Sequence, residues 1–112
     1  MATSTIKKNF YCTDILTKTA SEIGGTTGNS FSCGWQNYDM LLMCARHYTN
    51  IRETSLIPVS YFATTSSGAR AMIFDSNGNI MYECYQNGSG SVYVKSTSQD
   101  AQFRFTIFGL KF

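Results

Sequence analysis

Two side chains with reactive potential lie close together in this sequence. Cys44 and His47 sit in the stretch YDMLLMCARHY, residues 38–48. Nucleophilic catalysis needs a nucleophile, a base and a group that orients the base. On a helix, residues three apart share a face, so thiol and imidazole could meet. On a strand they point to opposite sides and the pair dissolves. The stretch itself permits both readings. Tyr38, Leu41, Leu42, Ala45 and Tyr48 follow helical spacing, with Asn37 as a cap. Met40 to Ala45 is an unbroken apolar run, which suits a buried strand.

Other catalytic chemistry has less to build on. His47 is the single histidine, and the acids Asp14, Glu22, Asp39, Glu53, Asp75, Glu83 and Asp100 are spread singly, whereas glycoside cleavage needs a carboxyl pair. Asp39 and Asp75 read as turn or strand-end residues. No GxGxxG, GxxxxGK or HExxH string occurs. Asp75-Ser76-Asn77-Gly78-Asn79 has the look of a calcium loop but lacks the terminal bidentate glutamate, so it reads as a turn. The cysteines Cys12, Cys33, Cys44 and Cys84 have no zinc spacing. They read as free buried thiols, and a Cys44–Cys84 bridge would require neighbouring strands. The sequence therefore assigns no catalytic residue, no metal and no cofactor, and the chain reads as a non-enzyme.

Binding has more support, because the chain carries seven Tyr, eight Phe and one Trp. Trp35 reads as a core plug or, alternatively, as an aromatic platform for a sugar ring. Tyr85 and Tyr93 point outward in the strand register and would line a ligand groove or a subunit interface. Trp35, Tyr85 and Tyr93 are the candidate ligand-binding residues.

The elements that position these residues follow from composition and punctuation. With 112 residues and 43% hydrophobic content, the chain supports one domain with a real core. Only 14% of it is charged, against roughly 25% in ordinary globular chains. Such a surface suits hydrogen bonding to neutral ligands or close subunit packing. The net charge of +2 arises from scattered Lys and Arg, which argues against nucleic acid as a partner. No apolar run approaches the roughly 20 residues of a membrane span, and MATSTIKKNF does not resemble a signal peptide. The expectation is synthesis in a cytoplasm without membrane insertion.

The downstream half alternates short apolar segments with Gly, Asn and Ser clusters at roughly ten-residue intervals, as β proteins do. The segments are LIPVSYFA (56–63), ARAMIFD (69–75), NIMYECYQ (79–86), SVYVKS (91–96) and QFRFTIFGLKF (102–112). Within them Ile80, Tyr82 and Cys84 oppose Met81, Glu83 and Tyr85, and Val92 and Val94 oppose Tyr93 and Lys95. Asn77-Gly78 signals a tight hairpin and QNGSGS a looser one. NFYCTDIL (9–16) and NSFSCGW (29–35) also read as extended, and the hairpin context makes residues 38–48 a strand. The resulting expectation is an all-β fold, an antiparallel two-sheet β-sandwich of jelly-roll type with about eight strands. Residues 1–8 would form an N-terminal connection and 9–112 a single domain.

The last strand is apolar on both parities: Phe105 and Ile107 on one, Phe108, Leu110 and Phe112 on the other. Either Gly109 marks a bulge that re-phases the strand, or a neighbouring subunit covers the second face, and the second reading is preferred. Leu41, Met43, Phe108, Leu110 and Phe112 are accordingly the candidate subunit-interface residues.

Taken together, YDMLLMCARHYTN, TSLIPVSYF and FRFTIFGLKF resemble the C-terminal head domain of bacteriophage tail-fibre and receptor-binding proteins, over about residues 30–112. The resemblance lies in the order of Tyr38 to Leu42, Ile57 to Val59 and Ile107 to Lys111. It implies a β-sandwich head, usually a homotrimer at a fibre tip, that recognises a host-surface carbohydrate or protein. It supplies no catalytic or binding residues to transfer and does not account for the four cysteines. The implied location is the virion. A purely structural virion assembly or decoration domain is the alternative, followed by a glycan depolymerase with sites between subunits.

Overall fold

A computed structural model of the chain describes residues 11–112. The expected connection over residues 1–8, with the first two residues of the expected domain, lies outside the described residues. Eight strands form two antiparallel sheets of four, an all-β two-sheet sandwich. They are β1 (Tyr11–Thr19), β2 (Asn29–Ser32), β3 (Met40–His47), β4 (Asn50–Pro58), β5 (Ala71–Phe74), β6 (Ile80–Gln86), β7 (Ser91–Ser96) and β8 (Phe103–Lys111). The first sheet runs β1-β8-β3-β4 and the second β2-β7-β6-β5. The pairs β1–β8 and β2–β7 are nested in sequence, one in each sheet. Between them the pairings are local, a β3–β4 hairpin and a β5–β6–β7 meander.

Within residues 38–48, Met40–His47 are thus a strand, flanked by β4 and β8. Leu41, Met43 and Ala45 face inward and are fully buried with Phe105 and Ile107 of β8. Opposing them are Ile73, Tyr82, Cys84, Val92 and Val94 of the second sheet, and these residues form one continuous core. The Tyr82 and Phe105 rings meet across it at 5.2 Å.

Gly109 does not re-phase the last strand. Its register with β3 runs unbroken from Phe103 to Leu110, and the irregularity in β8's other pairing falls in β1, between Asp14 and Leu16. Gly109 has a packing role instead: a Cβ there would lie 2.6 Å from the ring carbons of Tyr38. Only a residue without a side chain lets the tyrosine lie flat on β8 at the sandwich end.

Two local features depart from the pattern read in the sequence. The segment 56–63 is not one strand: β4 begins earlier, at Asn50, and ends at Pro58. Pro58 closes its strand, and Val59–Phe62 form a helical turn, α2. A proline is tolerated there because β4 is an edge strand. The other turn, α1 (Ala20–Ile23), starts at a capping box in which Thr19 and Glu22 exchange side-chain and backbone hydrogen bonds. No helix among the described residues is long and apolar enough to cross a membrane.

Gly109→Ala tests the close approach of Tyr38. Because an added methyl must displace a packed ring or the strand, the substitution is expected to destabilise the domain by about 1–3 kcal/mol. Chemical denaturation measures this, and an unchanged midpoint would show that Tyr38 is not held against β8.

Candidate functional site

The outer face of the second sheet gathers most of the polar and aromatic side chains that sequence alternation turns outward. Tyr85 and Tyr93 are direct cross-strand partners on β6 and β7. Their rings stack with centroids 5.3 Å apart and planes 14° from parallel. Tyr93 donates its hydroxyl to Thr27 O at 2.7 Å. The Arg70 guanidinium stands over the Tyr85 ring, 6.0 Å from its centre. The tyrosine faces are therefore turned to each other and to Arg70, and the pair offers ring edges and the Tyr85 hydroxyl to the outside.

One pair further along the same two strands, Glu83 lies opposite Lys95. Arg70 reaches Glu83 with Nη1 in an ion pair and donates Nε to Ser67 O at 2.6 Å. The loop joining α1 to β2 folds over this end of the sheet. Gly28 presses on β7 with φ +79°, where a Cβ would lie 2.5 Å from Tyr93 Cε1 and 2.8 Å from Lys95 Cγ. Ser96 N donates to Gly25 O at 3.0 Å and pins the loop. Between loop and sheet lies a cavity of about 220 Å³ lined by Thr26, Arg70, Met81, Glu83, Lys95 and Thr97, among others. Sequence alternation marked Glu83 and Lys95 as outward, but nothing local signalled that Arg70 and the glycine loop would enclose them. The hairpin register of β6 and β7 was the available clue.

Trp35 is elsewhere and is no platform. It begins a short 3-10 turn and is 6% exposed within the core. Its ring meets Phe62 edge-on at 5.2 Å, and its indole N–H donates to Ser91 O at 2.9 Å. The sugar-platform alternative is corrected to the core plug: the indole is buried in the core cluster, just after Gly34 at φ +64°.

The outer face of the first sheet is different in kind. Met40 and Leu42 of β3 lie beside Leu110 and Phe108 of β8, and across β4 beside Pro58 and Leu56. Cys12 of β1 continues the row next to Leu110. Leu56 is 56% exposed and Phe112, just past β8, is 55% exposed. Such an apolar stretch on an outer face is the mark of an interaction surface. Beyond it the face turns polar, with Arg46 donating to Thr106 Oγ1 at 3.3 Å. Leu41 and Met43, expected at a subunit interface, are buried inside this chain's own core and cannot contact a second copy. The error is one residue of parity, which on a strand exchanges the two faces. Met40 and Leu42 take their place beside Phe108, whereas Leu110, also expected at the interface, is buried within this chain.

Cys44 and His47 do not meet. Cys44 lies on the outer side, paired with Thr54 and Thr106, whereas His47 is at the strand end, its ring against Phe103 and Tyr48 and its Nε2 3.2 Å from Gln102 Oε1. Asp39 is a strand-end clasp: its carboxylate accepts from Phe112 N at 2.8 Å, and its carbonyl accepts from Val59 N at 2.9 Å. Asp75 accepts from Asn77 N and Asn79 N and closes the β5–β6 turn. All four cysteines are free, since Cys44 and Cys84 lie in different sheets. They are not uniformly buried, however: Cys12 is exposed and Cys33 half-buried. Burial pushes the Cys33 and Cys44 thiols up to about 11 and Cys84 well above its usual value.

These thiols make stability fall on the alkaline side. The folded chain keeps them protonated, whereas the unfolded chain releases their protons near the ordinary thiol value of 9.0. Above that pH the unfolded state binds fewer protons, so unfolding becomes easier as pH rises toward 11. Thermal melts in reductant are expected to show Tm declining across that interval and less steeply in Cys84→Ala. In parallel, a thiol reagent at pH 8 should modify Cys12 in the native protein and Cys44 and Cys84 only in denaturant. A flat alkaline profile, or rapid native labelling of Cys84, contradicts the assignment. No family model, curated protein or solved structure matches this chain, so its function is read from the two faces of the sandwich.

Proposed function

We propose that this chain is a homo-oligomeric attachment module, the head domain of a bacteriophage tail fibre. It would form a trimer at the fibre tip through the apolar outer face of the first sheet. The outer face of the second sheet would turn toward a host-surface receptor, a carbohydrate. The observation that carries the reading is the chemical division of one sandwich. Met40, Leu42, Leu56 and Phe108 share one outer side, and the Tyr85–Tyr93 stack and a charged cavity near it occupy the other. A module that must hold copies of itself and a foreign ligand at once needs two such surfaces.

The three segments that carry the resemblance to fibre heads also support it. They converge on one end of the first sheet, where Met40 pairs with both Pro58 and Leu110, and Asp39 N donates to Leu110 O at 2.8 Å. Residues far apart in sequence are thus one structural clasp beside the apolar patch. That patch equally favours a second reading, a purely structural assembly domain of the virion.

One experiment separates the two. Sedimentation gives the mass in solution, and adsorption of labelled protein to a panel of bacterial cells gives attachment. The attachment reading expects a trimer, with Tyr85→Ala leaving the mass unchanged and reducing adsorption by about tenfold, as the loss of one well-placed contact of about 1.4 kcal/mol does. A monomer, or adsorption indifferent to Tyr85, contradicts it. Lost assembly in Tyr85→Ala supports the structural reading.

A further inference from the structure

The cavity beside the tyrosine stack has an unequal charge balance. Two cations, Arg70 and Lys95, line it with one carboxylate, Glu83. Arg70 already holds that carboxylate and is fixed from two further sides, by Ser67 O and by the Tyr85 ring. Lys95 lies across from Glu83, yet among the described residues its ammonium has no ion pair or hydrogen bond. The glycine loop lies close to the Lys95 stem at Gly28, where a Cβ would come within 2.8 Å of Cγ, and Lys95 lines the cavity.

We propose that this cavity binds the carboxylate of an acidic sugar residue, with Lys95 as the anion's partner. The inference rests on the reading of this face as a receptor-binding surface and specifies what it binds. Three features select the ligand class. The surplus of one positive charge matches a monoanion, because a dianion would add a second negative charge beside the Glu83 carboxylate in the lining. The Glu83 oxygen that does not face Arg70 accepts a hydrogen bond, so the ligand also carries hydroxyl donors. The Thr26 side chain, which also lines the cavity, supplies a further polar contact, and Met81 provides an apolar wall for the C–H side of a ring. A cavity of about 220 Å³ is smaller than the roughly 300–1,000 Å³ of drug-sized sites, so it takes one sugar unit of a longer chain.

The test is a heteronuclear NMR titration of the full chain at low salt. The probes are the methyl glycosides of glucuronic, galacturonic and N-acetylneuraminic acids, methyl glucoside as the uncharged control, and inorganic phosphate. At least one acidic glycoside should shift the amides around Arg70, Glu83 and Lys95 saturably, with Kd at least about tenfold below that of methyl glucoside. Added salt should weaken it. Lys95→Met, an outward position whose loss leaves the core intact, should abolish the difference between acidic and neutral sugar. Equal binding of both sugars, insensitive to Lys95, overturns the carboxylate inference while leaving the receptor-binding reading in place. Phosphate binding more tightly than every sugar acid overturns it in favour of a free anion. Perturbation by none of the probes also overturns it, and the adsorption of Tyr85→Ala then decides separately whether the face binds receptor at all.

Discussion

The pairing of β3 with β8 at the centre of the first sheet sets the terms for everything else in this molecule. Both strands are apolar on both parities, and a sandwich has only one core. The alternation of side chains sends Leu41, Met43, Phe105 and Ile107 inward, where they are fully buried. It then turns Met40, Leu42 and Phe108 to the outer side, where they stay partly exposed, beside a buried Leu110. No adjustment of the core can absorb that second set, because shifting the register by one residue would exchange the two rows entirely. An outward-facing apolar row is thus a consequence of the pairing itself.

The second sheet solves a different problem with the same alternation. Its inward row of Tyr82, Cys84, Val92 and Val94 completes the core, and its outward row is polar and aromatic. The glycine loop makes this flat face concave, closing over β7 because Gly28 brings backbone where any side chain would collide. Arg70 links the Tyr85–Tyr93 stack to the cavity, with its guanidinium over Tyr85 and paired to Glu83. Shape and charge at this face come from residues on separate strands and a loop, held in place by the hairpin register.

Much of the architecture was legible in the sequence because its signals are local. Period-two alternation and the Asn77-Gly78 turn mark the β5–β6–β7 meander, and they make residues 38–48 a strand. The parity of β3 was not legible, since Met40 to Ala45 is apolar at every position and offers no contrast between inside and outside. The first half of β4, Ile51 to Ser55, was missed for the opposite reason: an edge strand with polar residues shows little apolar alternation. Trp35 could be read either way, because its burial depends on Phe62 and Ser91, both remote in sequence. The cavity was invisible for the same reason, as Thr26, Arg70, Glu83 and Lys95 come from four segments.

The central claim is that adjacent residues of one strand serve opposite purposes, Met43 the core and Leu42 a contact between copies. The most direct measurement compares Leu42→Asp with Met43→Asp by circular dichroism and sedimentation. The account predicts that Leu42→Asp keeps the folded spectrum and loses the oligomer, whereas Met43→Asp places an unpaired carboxylate in the core and abolishes the fold. A folded Met43→Asp, or a Leu42→Asp that retains the mass of the unsubstituted protein, would contradict it.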